Sequence, residues 1–278
     1  MSTFPALPGY NPNAAIYNPN VPAYDNGSYQ ARLARQKAFI DTHKISERYQ
    51  GHLETLCKYR VDMLVDDSSS MNERPRLSDK SEWEKMGETA RIVAEVGTIY
   101  DEEGIDVTFL NRPGLQHVHD PNTLYPSFFD KAHGVTPSAV RLSELLEKCR
   151  HRDRKSIIVF TTDGHPTNAN GEIEPGKRLF EEVLNKREKD PILRDKVAIS
   201  FVMCTNDEDI VKYYDKFTDR YSNVTITENY AAEKKEMREK FQWPAYTEGD
   251  WIVKIVLGAV VKEIGEVDQP GKCFCTIL

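Results

Sequence analysis

No stretch of this 278-residue chain is apolar for long enough to span a bilayer: the longest such run, Trp251 to Val261, is interrupted by Lys254. Basic residues are in deficit. The 37 Lys and Arg stand against 44 Asp and Glu, a net charge of −7, which argues against a nucleic-acid partner because phosphate binding needs a basic face. Cysteine is scarce as well. Cys57, Cys149, Cys204, Cys273 and Cys275 form no CxxC pair and no disulfide-like spacing; the three that adjoin apolar segments read as reduced core thiols. No nucleophile–base pair, P-loop or dinucleotide fingerprint is present, which disfavours an enzyme. No secretory signal opens the sequence, so the expectation is a soluble, cytosolic body. With 39% apolar and 29% charged residues, the composition is that of a globular chain.

What the sequence does contain is three short segments that can be placed at strand ends. Asp66-Asp67-Ser68-Ser69-Ser70-Met71 follows the apolar run Arg60 to Val65, and Thr161-Thr162-Asp163-Gly164-His165-Pro166 follows Ser156 to Phe160. Between them lies Gly134-Val135-Thr136. In an open α/β sheet ligands bind beyond the carboxyl ends of the strands, so two carboxylates and three hydroxyls are expected to converge there. Such a set offers oxygen only, the ligand chemistry of a hard divalent cation such as Mg²⁺ rather than of zinc or copper. Singly, each residue has a structural explanation. Thr136-Pro137 suits a helix start, the serines suit a turn, and Asp163-Gly164 is a common turn pair. Their joint order, each at a strand exit, is what favours a site.

Asp66-x-Ser68-x-Ser70, then Thr136, then Asp163 within T-D-G-x-P, resembles the metal-ion-dependent adhesion site of von Willebrand factor A (VWA) domains, over roughly residues 59–266. Ser69 stands where that family often has glycine, and Met71 is the methionine usual after the second serine. The resemblance implies a doubly wound, mostly parallel sheet with helices on both faces. It also implies Mg²⁺ (with Mn²⁺ or Ca²⁺ as alternatives) at Asp66, Ser68, Ser70, Thr136 and Asp163. Neutral hydroxyls leave much of the ion's charge uncompensated, so it can accept an Asp or Glu carboxylate from a protein partner. Two rival readings rest on the first motif alone. A phosphorelay receiver needs a further aspartate some 40 residues on at a strand end followed by D-x-x-M-P, whereas Asp106 falls inside a strand segment. A haloacid-dehalogenase-like phosphatase needs D-x-D, and the second position here is Ser68. A third reading is a scaffold whose metal is purely structural.

The periodicities support the α/β class independently. Helices are expected over 29–58, 81–100 (with Ser81 and Glu84 at capping-box spacing), 137–149, 174–189, 206–218 and 247–264. Strands are expected near 60–65, 105–110, 156–160, 196–204 and 224–226. Residues 1–28, rich in Pro, Asn and Tyr with Tyr-Asn-Pro-Asn occurring twice, read as a disordered arm. His117 and His119 share a strand face but lack a third ligand at a recognised spacing. Residues 267–278 read as a flexible tail ending Cys275-Thr276-Ile277-Leu278, which fits a C-a-a-X prenylation signal on Cys275. One lipid rarely anchors stably, and Cys273 is the candidate for a second, palmitoyl group. The expectation is a cytosolic protein peripheral to a membrane.

Overall fold

The computed structural model describes residues 29–75 and 78–265. The expected arm over 1–28, Cys273, Cys275 and the rest of the tail lie outside them. The chain enters through α1 (Tyr29–His43) and α2 (Glu47–Gln50), then a 3₁₀ segment, Gly51–Lys58. The alternating body runs β1 (Tyr59–Val65), α3 (Glu82–Tyr100), β2 (Ile105–Phe109), β3 (Leu115–Val118), α4 (Ser138–Arg150) and β4 (Lys155–Thr162). It continues through α5 (Ile173–Lys189), α6 (Pro191–Lys196), β5 (Val197–Met203), α7 (Glu208–Arg220) and β6 (Val224–Thr227). Helices α8 (Tyr230–Glu239), α9 (Glu248–Leu257) and α10 (Lys262–Gly265) close the described chain.

The six strands lie in the order β3-β2-β1-β4-β5-β6, all neighbours parallel except the β2–β3 pair. This is the expected α/β, doubly wound arrangement. β1, β4 and β5 are buried over most of their length because helices cover both faces, while β3, with two exposed residues, is a short antiparallel edge. Alternate residues of β1 feed opposite cores. Val61, Met63 and Val65 pack with α3 and α9 on one face, and Leu64 packs with α4, α5 and α7 on the other. The strand order reverses direction between β1 and β4. There the crossovers leave to opposite faces, and a crevice opens at the carboxyl ends.

Several local expectations are met at atomic level. Ser81 and Glu84 form the reciprocal capping box that starts α3. Cys57, Cys149 and Cys204 are free thiols, the last two buried. No helix among the described residues is long and apolar enough to cross a membrane. Two expected helices are broken, and three elements are additional. The helical stretch 29–58 is broken at Lys44, whose φ of 55° ends α1; its stripe Ile45, Tyr49, Leu53 and Leu56 nevertheless packs fully against the main core. The closing helix over 247–264 breaks after Leu257 and resumes as α10. Helices α6 and α8 and strand β3 are additional to the expected set.

Candidate metal centre

The carboxyl ends of β1 and β4 bring the first and third motifs side by side. β1 pairs with β4 from Tyr59↔Lys155 to Val65↔Thr161, and the Asp66 N–H continues the ladder to the Thr161 carbonyl at 3.0 Å. That register fixes Asp66 opposite Thr162, whose hydroxyl donates to Asp66 Oδ2 at 2.6 Å. The Ser68 N–H donates to Asp66 Oδ1 at 2.9 Å, the kind of local turn an aspartate makes with a backbone two residues on. The polar chain then continues: Ser68 Oγ lies 3.1 Å from Ser70 Oγ, and Ser70 Oγ donates to Asp163 Oδ1 at 2.9 Å. Asp66, Ser68, Ser70 and Asp163 therefore form one contiguous set. Buried Met71 anchors the end of the loop.

The third segment reaches the same place through backbone ties. The Ser69 N–H donates to the Gly134 carbonyl at 3.1 Å, joining the first loop to the segment that carries Thr136. Thr136 in turn donates its N–H to Thr167 Oγ1 at 3.0 Å and accepts the Thr167 N–H at 2.8 Å, joining it to the loop after β4. Gly134 has φ of 95°, and a Cβ there would lie 2.5 Å from Asn111 Oδ1. Only glycine satisfies both the conformation and the close approach. Thr136 itself is buried at the entry to α4.

Electrostatics distinguish this cluster from an ordinary buried polar group. Asp66 is fully buried, and no Lys, Arg or His forms an ion pair with it or with Asp163 among the described residues. Burial, with the neighbouring Asp67 charge adding to it, pushes the Asp66 carboxyl up to about 6, against the pull of its Thr162 and Ser68 hydrogen bonds. Burial and then the Asp66 charge push Asp163 up to about 7. Two carboxylates sharing a partly desolvated site without a cation destabilise one another, and a divalent ion relieves that repulsion. Ser70 is exposed and Asp163 half-buried, so the outer side of the set is open to solvent. The donors present fit Mg²⁺, which takes oxygen ligands and retains water.

Four residues that the sequence reading did not single out hold the site in shape. Asp67 is fully buried and accepts hydrogen bonds from Asn111 N–H (2.7 Å), Asn111 Nδ2 (3.1 Å) and Arg112 Nε (2.8 Å). Its carbonyl accepts the His133 N–H at 2.7 Å. Arg112 spreads its guanidinium onto the carbonyls of Ser127 and Lys131 and lies 4.9 Å from the Trp83 ring centroid, while Asn111 Nδ2 donates to the Val135 carbonyl at 2.9 Å. Asn72 exchanges two hydrogen bonds with the Ala132 backbone. Together Asp67, Asn72, Asn111 and Arg112 clamp the connection that delivers Thr136. Asp67 was visible inside the motif, but its partners lie more than 40 residues away in sequence.

The other acids and imidazoles of the sequence reading sit elsewhere. Asp106 is near the start of β2, at the opposite end of the sheet, held by Arg152 and Lys148. It is remote from Asp66 and cannot complete a receiver-like acid cluster. His117 adopts φ of 52° and donates its N–H to Asp106 Oδ1. Among the described residues no group of three or more His, Cys, Asp or Glu side chains is placed to hold a metal, so His117 and His119 gain no third ligand of that kind. A centre built from two carboxylates and hydroxyls is of a different type. No protein-family model matches the chain, and no curated protein compared with it does either.

Proposed function

We propose that this chain is a metal-dependent protein-binding domain of the VWA type rather than an enzyme. The reading places Mg²⁺, with Mn²⁺ or Ca²⁺ as alternatives, at Asp66, Ser68, Ser70, Thr136 and Asp163. The observation that carries it is the charge imbalance of the set: two neighbouring carboxylates, both pushed up, with hydroxyls around them and no ion pair to a cationic side chain among the described residues. When bound, a hard divalent cation supplies a Lewis-acidic position for an external carboxylate. The chain's own contribution is to orient that position. Thr162 and the Ser68 N–H fix both oxygens of Asp66, Ser70 aligns Asp163, and the exposed side admits a partner's Asp or Glu. The resemblance in motif order supports the same reading.

The test is retention of partners from eukaryotic cytosol and membrane extracts on the immobilised full chain, in Mg²⁺ and in EDTA, with Asp66→Ala alongside. A partner held only in Mg²⁺ and only by the wild type is expected. Partners indifferent to chelation and to Asp66→Ala would overturn the reading and leave any ion structural. The localisation proposed with it is peripheral, on the cytosolic face of a membrane, through prenylated Cys275 and palmitoylated Cys273. Cys275→Ser is expected to move the protein to the soluble fraction; a wild type already soluble, with no lipid in its mass, would remove the anchor.

A further inference from the structure

The rim of the candidate centre is charged on some sides and uncharged on one. Glu73, Arg74, Asp79 and Lys80 follow the first motif, and Asp207, Glu208 and Asp209 open α7. Residues 132–140, which carry Thr136, and 164–171, which follow Asp163, contain no Asp, Glu, Lys or Arg, although 29% of the chain is charged. The Thr136–Thr167 hydrogen bonds join these two segments. Gly171 abuts Val135 as well: a Cβ there would lie 3.2 Å from Val135 Cγ1. The acids at the border are already engaged. Glu172 accepts the Asn168 amide at 2.6 Å, Glu174 meets Lys177, and Glu144 meets Arg141.

The same side collects exposed apolar side chains. Among the described residues six large ones stand exposed, and three of them, Val140 (55%), Ile173 (45%) and Leu179 (42%), fall on α4 and α5. Tyr29, Phe129 and Ile192 stand apart on separate elements. Val140 lies in the first turn of α4, Ile173 begins α5, and Leu179 is in its second turn. The two helices pack side by side, and lower down Arg150 of α4 and Lys186 of α5 share a depression. Counting by threes and fours puts Val140 on the side of α4 that bears Arg150, and Leu179 on the side of α5 that bears Lys186. Both therefore flank one groove, apolar at the end next to the candidate centre and charged lower down.

We propose that this uncharged shoulder is the second half of the binding surface, and that it selects a protein partner with a large apolar side chain within about four residues of its metal-directed Asp or Glu. The inference rests on the metal reading and deepens it. An ion with an open position accepts any exposed carboxylate, so discrimination between partners has to come from what lies beside it. Exposed aliphatic side chains gain by being covered, whereas a lysine or glutamate placed against them loses water without meeting an opposite charge. Val140 is four residues from Thr136, which keeps it within about 13 Å of that candidate ligand. An extended partner strand advances about 3.3 Å per residue, so the anchoring acid and the apolar side chain belong to one short segment.

The probes are short Gly-Ser peptides with a central Glu, each carrying a single Leu at one flanking position, titrated into the full chain in Mg²⁺ and in EDTA. In Mg²⁺ at least one Leu position is expected to bind about tenfold more tightly than the Gly-Ser reference, and Lys at that position to lose the gain. The ratio of Leu peptide to reference should fall severalfold in V140S/L179S and stay in Ile192→Ser, at the other end of the sheet. All three positions are exposed, so far-ultraviolet spectra matching the wild type confirm that the fold is kept. Metal-dependent binding with no gain from Leu at any position, or an undiminished ratio in V140S/L179S, would overturn the proposal and leave the metal reading standing. Binding that is the same in EDTA, or no binding of any peptide in Mg²⁺, would remove the metal reading and the proposal with it. A wild-type dimer that V140S/L179S dissociates would assign the shoulder to a second copy of the chain and likewise overturn the proposal.

Discussion

β1 carries two buried aspartates four residues apart on one face of the sheet, and they have opposite fates. Asp62, near the strand's start, is held by both guanidinium nitrogens of Arg152, which also reaches Asp106 on the neighbouring strand at 2.9 Å. Lys148 adds a second cation to Asp106 at 2.7 Å. Burial raises the Asp62 carboxyl while Arg152 pulls it back. Asp106, which burial alone would raise, is held below the usual carboxylate range by Lys148, Arg152 and the His117 N–H. Asp66, at the strand's end, is equally buried but meets only hydroxyls, an N–H and another carboxylate. The lesson is that burial of an acid does not mark a site. Burial without a protein cation does, because the missing charge has to come from outside the chain.

The largest way to break this comparison is Arg152→Leu. It leaves Asp62 and Asp106 paired across β1 and β2 without the cation they share. Removing one partner from a buried ionic cluster costs about 3–5 kcal/mol, so a chemical-denaturation midpoint is expected to fall sharply. The Mg²⁺ response of the opposite end should survive in the molecules that remain folded. A loss below about 1 kcal/mol would mean that the cluster at the strand starts is no better compensated than the one at the strand ends.

A smaller effect is expected from Asp67→Ala. Asp67 resembles Asp62 in having its own guanidinium, Arg112 at 2.8 Å, yet it stands next to the candidate ligand Asp66. The substitution strands Arg112 Nε and the Asn111 N–H, a cost of roughly 2–3 kcal/mol. It also frees the segment carrying Thr136, so Mg²⁺ affinity measured by calorimetry should fall beyond the stability loss. Unchanged affinity would show that the clamp serves the fold only.

How much of this was legible in the sequence follows from how far apart the partners are. Asp66, Ser68, Ser70 and Asp163 could be placed because each follows an apolar strand directly, and strand exits are local signals. The clamp and the Arg152 cluster could not. Each acid in them is 42 to 90 residues from the side chains that bond it, and nothing local distinguishes Arg152 from a surface arginine. Strand β3 was met only through the His117-x-His119 alternation, and His119 lies beyond it, because the strand is four residues long with two of them exposed. Helix α8 escaped because one of its two buried side chains is Glu233, whose cation, Lys254, arrives from α9 at 2.7 Å. The closing helix looked continuous because apolar spacing does not reveal the turn after Leu257. Local pattern thus predicts most of the elements and the candidate ligand positions at their ends, whereas compensation of charge is a property of the packed molecule.

The most delicate test is pH, because the site and Asp106, on β2 at the opposite end of the sheet, should respond with opposite signs. Asp66 and Asp163 are raised from 3.8 to about 6 and about 7, so between those values the folded chain binds protons more tightly than the unfolded one. Their contribution to stability is full below about pH 4 and is lost as pH rises toward 7. Asp106 is lowered from 3.8, so its contribution is present above that value and lost as pH falls through its folded pKa. In EDTA the wild type is therefore expected to lose stability from about pH 4 to about pH 7 through the site, and separately to lose it in acid through Asp106 at the opposite edge. Asp163→Asn keeps an oxygen for the Ser70 hydroxyl while removing the charge that opposes Asp66. At pH 8 without metal it should stabilise the protein by about 1–2 kcal/mol and flatten the neutral limb. Excess Mg²⁺ should flatten the same limb in the wild type and do nothing for the variant, since an ion bound only to the folded state restores what the uncompensated carboxylates cost. A neutral limb as steep in Asp163→Asn as in the wild type would leave only buried Asp66 behind it and remove the argument that two opposed carboxylates call for the ion.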